Sequence, residues 1–131
     1  MFWRIFMKNI FYKSIICFIS IFLFASFSFA GGECGGSVTG NIGVENSFTD
    51  WIAPRTRTCI TGDLNISVSG TFSGTVTLQR KFGSSGTAVD VEDYTTTYEG
   101  QLNEFEKEVY YRLGIKTGNY TSGTAVLRLS N

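Results

Sequence analysis

The sequence predicts an all-β fold, an antiparallel β-sandwich of about seven strands, on three observations. After residue 47, apolar residues alternate with polar ones over much of the chain. Segments rich in Gly, Ser, Thr and Asn break that alternation every roughly eight to twelve residues, the spacing of turns in a sandwich. Beyond residue 30, apolar side chains nowhere recur at helical spacing over two turns.

The first thirty residues are set apart from this fold. Arg4, Lys8 and Lys13 give a cationic start without acids, Ile15 to Phe27 is almost wholly apolar, and Ser28-Phe29-Ala30 places small residues before Gly31. A positive region, an apolar core and a small-x-small site are the parts of a secretory signal, with cleavage expected between Ala30 and Gly31. The apolar run is shorter than the roughly 20 residues a spanning helix needs, so an uncleaved anchor is the alternative reading. The expected organisation is a signal peptide over 1–30, a glycine-rich leader over 31–46 and the sandwich over 47–131. Export to the periplasm, the medium or a particle follows, with no membrane attachment after cleavage.

With the signal removed, Cys34 and Cys59 are the cysteines that remain. An even pair in an exported chain reads as a disulfide. Closing that loop would stabilise the fold by roughly 3 kcal/mol on the chain-entropy account. It would tie the leader, otherwise expected to be irregular, to the body.

Each strand has its own signal. Ser47 to Ile52 is the first candidate and stops at Pro54, which lacks the amide a ladder requires. Leu64, Ile66 and Val68 alternate with Asn65, Ser67 and Ser69, and a turn is expected over Gly70 to Gly74. Val76 and Leu78 point inward from 75–82, which forms a hairpin with 87–91 across Gly83-Ser84-Ser85-Gly86. Tyr94 to Tyr98 is read as extended, and Leu102 to Phe105 as a short strand, with 103–108 as the one segment open to a helical turn. Val109, Tyr111, Leu113 and Ile115 form the next inward row, a turn is expected at 117–120, and Ala125, Leu127 and Leu129 close the pattern.

Gly70-Thr71-Phe72-Ser73-Gly74-Thr75-Val76-Thr77-Leu78-Gln79-Arg80, together with 109–118 and 120–130, resembles the core strands of small β-sandwich modules in bacteriophage virion proteins. That resemblance spans about residues 63 to 131. It implies an immunoglobulin- or fibronectin III-like sandwich and a role in decorating heads, tails or fibres. The loop 81–89 departs from the pattern, lacking the aspartate and tryptophan that related modules carry there.

Function classes can be narrowed by composition. The chain has eleven basic and eleven acidic residues and no histidine. Removing the three cations of the signal leaves an acidic domain with no basic footprint for nucleic acid. Histidine-based triads and imidazole metal ligands are excluded, and neither a metal nor a cofactor is expected. Glu104, Glu106 and Glu108 repeat at period 2 and would share a face of an extended segment, as a solvated acidic edge or as paired carboxylates for hydrolysis. Asp90, Glu92 and Asp93 are the corresponding weak calcium candidates. Asn65-Ile66-Ser67 and Asn119-Tyr120-Thr121 match the glycosylation pattern and carry no functional reading.

The surface candidates are aromatic. Tyr94, Tyr98, Tyr110 and Tyr120, with Arg112, are expected at positions facing solvent, where a tyrosine ring offers contact area at low entropic cost. Trp51, Tyr111 and Phe72 are expected in the core or at its rim. The sequence thus points to a non-enzymatic structural or binding module that meets a protein or glycan surface. A phage virion component is the first form of that reading and a bacterial periplasmic or cell-surface binder the alternative. A small carboxylate hydrolase is a third, from a different class.

Overall fold

The computed structural model describes residues 35–57 and 59–131, which are all-β with an antiparallel sheet of six strands. The strands are β1 (Ser37–Ile42), β2 (Ser47–Phe48), β3 (Asp63–Phe82), β4 (Val89–Tyr94), β5 (Tyr98–Asn103) and β6 (Val109–Ser130). Two long strands dominate. β3 and β6 pair from Asn65↔Ser130 at one end to Phe82↔Val109 at the other. Around this ribbon the short strands divide by half. β1 lies on the last part of β6, and β5 on the first part of β3. β2 lies on the first part of β6, and β4 on the last part of β3.

The ribbon is folded back on itself. Glu104 N–H donates to the Gly62 carbonyl at 2.8 Å, and Gly83 N–H donates to the Glu108 carbonyl at 2.7 Å. One five-residue link therefore touches both ends of β3. Five residues reach at most about 18 Å, whereas twenty residues of straight strand would span roughly 65 Å. β3 must double over, and its bend lies where Gly70 and Gly74 take φ values of 92° and 144°. A Cβ on Gly70 would sit 2.4 Å from the Thr124 carbonyl oxygen, so only glycine lets the paired strand pass so close. On β6 the same corner holds extra chain: Ile115 to Tyr120 faces only Val76 to Gly74.

The alternation survives the corner. Leu64, Ile66, Val68, Val76 and Leu78 from β3 share one core with Val109, Tyr111, Leu113, Ile115, Ala125, Leu127 and Leu129 from β6. All are at most 3% exposed, as the period-2 reading requires. Residues from both ends of β3 and of β6 thus belong to one core.

Four local expectations are corrected. The leader is not wholly irregular: Ser37 to Ile42 pairs with β6, because Val38 and Ile42 give it an apolar side that meets Leu129 and Ala125. The segments 70–74 and 117–120 bend without ending their strands, so two expected strand pairs are two continuous ones. The stretch from Tyr94 to Tyr98 is the connection between β4 and β5. Residues 104–108 form a turn with Glu108 at φ 61°, so Glu104, Glu106 and Glu108 share no extended face. The signal segment 1–30, the Ala30–Gly31 cleavage site and Cys34 lie outside the described residues.

Candidate functional site: an aromatic and cationic outer face

In the half built from β2, β6, β3 and β4, alternation sends the opposite set of side chains outward. Val109, Tyr111 and Leu113 face the core, so Tyr110 and Arg112 face out; Val76 and Leu78 face the core, so Thr77, Gln79 and Lys81 face out. The Phe48 ring lies over this face at Gly114, where a Cβ would meet it at 2.1 Å. The chain after β2 keeps to the β6 edge, with Thr49 N–H donating to the Leu113 carbonyl and Ile52 pairing with Tyr111.

The result is a ladder of rings and cations. The Arg112 guanidinium lies 4.0 Å from the Phe48 ring centroid and 4.4 Å from that of Trp51. Lys81 Nζ lies 4.4 Å from the Trp51 centroid and 5.7 Å from that of Tyr110. Cations within about 6 Å of a ring are held by its quadrupole, Trp best of all. Partial burial lowers the Arg112 pKa from its ordinary value.

Polar side chains anchor the ladder to the sheet. Arg112 donates through Nε and Nη2 to Gln79 Oε1, at 2.9 and 2.8 Å. Gln79 Nε2 donates to Asp90 Oδ1 at 2.8 Å, and Lys116 Nζ pairs with Asp90 Oδ2 at 2.5 Å. Hydrogen bonds from Lys116 and then Gln79 hold the Asp90 carboxyl below its ordinary value, and the same contact with Asp90 raises Lys116. Beside this row Thr77 donates to Asp93 Oδ1 at 2.6 Å.

Of the tyrosines expected at the surface, Tyr110 belongs to this face together with Arg112. Tyr94 does not: it is 5% exposed, a member of the core, and its hydroxyl donates to Glu92 Oε2 at 2.9 Å. Its inward position follows from pairing with Val76, whose side chain is fully buried. Burial, with that bond second, pushes the Tyr94 pKa upward. Tyr98 stacks on Tyr94 with ring centroids 4.5 Å apart and packs against the core. Tyr120, also packed against the core, donates to the Gly123 carbonyl at the bend. Four members of the face, Phe48, Trp51, Gln79 and Lys81, were not among the sequence candidates. The outward parity of Gln79 and Lys81 is readable in the sequence, but the pairing of 48–52 along β6 is not.

The acidic candidates serve the fold. Glu104, 9% exposed, accepts from the Tyr111 hydroxyl and from Glu106 N–H. Asp90, Glu92 and Asp93 bond to four different partners, and among the described residues no cluster of His, Cys, Asp or Glu is arranged to hold a metal. Cys59 is 5% exposed, and its N–H donates to Thr56 Oγ1. No helix among the described residues is long and apolar enough to cross a membrane. No protein-family model, curated protein or solved structure matches this chain.

Proposed function

We propose that the chain is an exported, non-enzymatic β-sandwich module that works by contact, presenting the face of Phe48, Trp51, Lys81, Tyr110 and Arg112 to a protein surface. The single observation behind this reading is the seating of Arg112 on Phe48 and Trp51, locked by two bonds to Gln79. Trp, Tyr and Arg are the residues that dominate protein interfaces, above all when they are held rigid before binding. Cations already sit on Phe48 and Trp51, which favours a protein over a sugar ring as the partner, since sugar stacking needs a free aromatic face.

Two facing layers, β1–β6–β3–β5 and β2–β6–β3–β4, are the sandwich in this reading, and β3 and β6 run through both. Two packed four-strand layers are what this reading shares with an immunoglobulin-like sandwich. Export is read from the pattern of residues 1–30. The Cys34–Cys59 bridge belongs to the same reading. It rests on the even pair of cysteines left in an exported chain. The absence of histidine and the structural use of Glu104 favour a module without catalysis.

The resemblance of 70–80 and 109–130 to virion modules makes a phage particle the first partner to test. Particles would be purified from a strain expressing tagged wild type or the Trp51→Ala/Arg112→Ala protein. Wild type is expected in the particle band and the folded variant depleted from it. Equal recovery of both, or of neither, would remove this face as the contact. A glycan array run in parallel tests the alternative of a cell-surface glycan binder.

A further inference from the structure

Next to that sheet face, where 53–57 and 107–110 meet, lies a cavity of about 460 Å³. Among the described residues, Arg55, Arg57 and Lys107 line it with one acid, Glu108, beside Ala53, Thr56 and Tyr110. Outside the signal segment the sequence has eight cations, so this one cleft gathers three of them. Of the other five, four are engaged, Arg80 on Phe82, Lys81 and Arg112 on the ring ladder, and Lys116 on Asp90. Among the described residues, none of the three cleft cations has an ion-pair partner.

Two further observations concern the same place. Arg55 is fixed by donating from Nη1 to the Phe105 carbonyl, yet its Nε is buried with no acceptor. A buried donor left unmatched is costly and marks a place where an acceptor is missing. Glu108 holds a left-handed φ of 61° while its carbonyl receives Gly83 N–H, and such strain in a non-glycine residue clusters at ligand sites. Two apolar side chains of the neighbouring segments 59–62 and 104–105 are bare. Phe105 is 76% exposed, and Ile60, two residues before the Gly62 that pairs with Glu104, is 69% exposed.

We infer that this cleft is an oxyanion site that takes a phosphate group, with Arg57 and Lys107 supplying charge and Arg55 the oriented donors. Phosphate matches a guanidinium fork and a point-charge ammonium together. Phe105 and Ile60 give an amphiphile bearing that group an apolar foothold that free phosphate lacks. The site borders the sheet face proposed above at Tyr110, and its test uses residues outside that face.

The experiment takes the exported chain from Gly31 and the Arg57→Ala/Lys107→Ala variant, both substituted at exposed positions, with circular dichroism verifying the fold of each. Inorganic phosphate is titrated by NMR, and cosedimentation is measured with vesicles of phosphatidylglycerol and phosphatidylcholine at equal parts, and of phosphatidylcholine alone. The expected result is phosphate-dependent shifts at the cleft in wild type. Loss of affinity in the variant should be about thirtyfold, the size that two surface cations supply. Cosedimentation with the anionic vesicles, abolished by Phe105→Ser, identifies a lipid headgroup as the source. Shifts with phosphate but no cosedimentation identify a soluble phosphate. No response to either probe, or a response that the double substitution leaves unchanged, overturns the site.

Discussion

The Tyr111 hydroxyl donates to Glu104 Oε2 at 2.7 Å, joining the first strand residues of β6 to the link that crosses from β5. Tyr111 is 3% exposed and Glu104 9%, so neither group has water to fall back on. Glu104 also accepts from Glu106 N–H, which shapes the turn. Tyr111→Phe keeps the ring and strips the donor from a buried carboxylate. We expect a loss of about 1.5–3 kcal/mol in urea unfolding, the range for bonds to charged groups. A loss below 0.5 kcal/mol, by the same ~1 kcal/mol yardstick for a lost bond, would mean that the link holds without it.

The same contact gives a pH dependence with a definite sign. Burial first, and the bond to Glu104 second, push the Tyr111 pKa up to about 12, against roughly 10 in an unfolded chain. Below pH ~10 both states keep the proton and this group contributes no slope. Between about 10 and 12 the unfolded chain sheds it while the fold retains it, so stability falls with rising pH, by at most about 1.4 kcal/mol per unit for one group. Tyr94, raised by burial in the same direction, adds to the decline. Urea midpoints measured from pH 8 to 12 should show that fall, and Tyr111→Phe should flatten it.

The corner of the ribbon separates two glycine roles. Gly123 (φ 85°) faces Phe72, and a Cβ on it would lie 2.1 Å from the Thr71 carbonyl oxygen. Gly118 (φ 82°) has the same backbone handedness but open space around it. Gly118→Ala should therefore cost only the left-handed conformation, about 1–2 kcal/mol. Gly123→Ala adds a clash with backbone that cannot move without unpairing β3 from β6. Thermal melts should rank Gly123→Ala well below Gly118→Ala, and equal melting temperatures would contradict the tight crossing.

These outcomes show which parts of the fold a sequence can carry. Leu64 to Leu78 and Val109 to Leu129 were legible because alternation is a local property and each residue's face follows from its parity. The bends at 70–74 and 117–120 look like strand ends in the sequence, since a glycine signals a left-handed φ equally well in a turn and in a doubled-over strand. Ser37–Ile42 was missed because its pairing with β6 is long-range and its apolar side is only Val38 and Ile42. The outer face was half legible: Tyr110 and Arg112 sit at outward parity, but nothing local says that Phe48 rests on Gly114 nearly seventy residues away. Tyr94 misled for the same reason, its partner Val76 being on another strand.

Arg112 provides the last prediction, because its geometry distinguishes a shaped contact from a mere charge. Its planar group lies against Phe48 and Trp51 and directs two donors to one Gln79 oxygen. Lysine retains the charge but cannot stack flat or donate through a fork. Arg112→Lys should therefore lose about 1–2 kcal/mol of stability, and Arg112→Ala more, since Gln79, 8% exposed, is left with an unmatched acceptor. Trp51 is the only tryptophan after residue 30 and reports the change directly. Its emission should shift to the red in both variants as the cation leaves its ring and water enters. If Arg112→Lys matches wild type in both stability and emission, charge alone holds the ladder, and the rigid face on which the contact reading depends is lost.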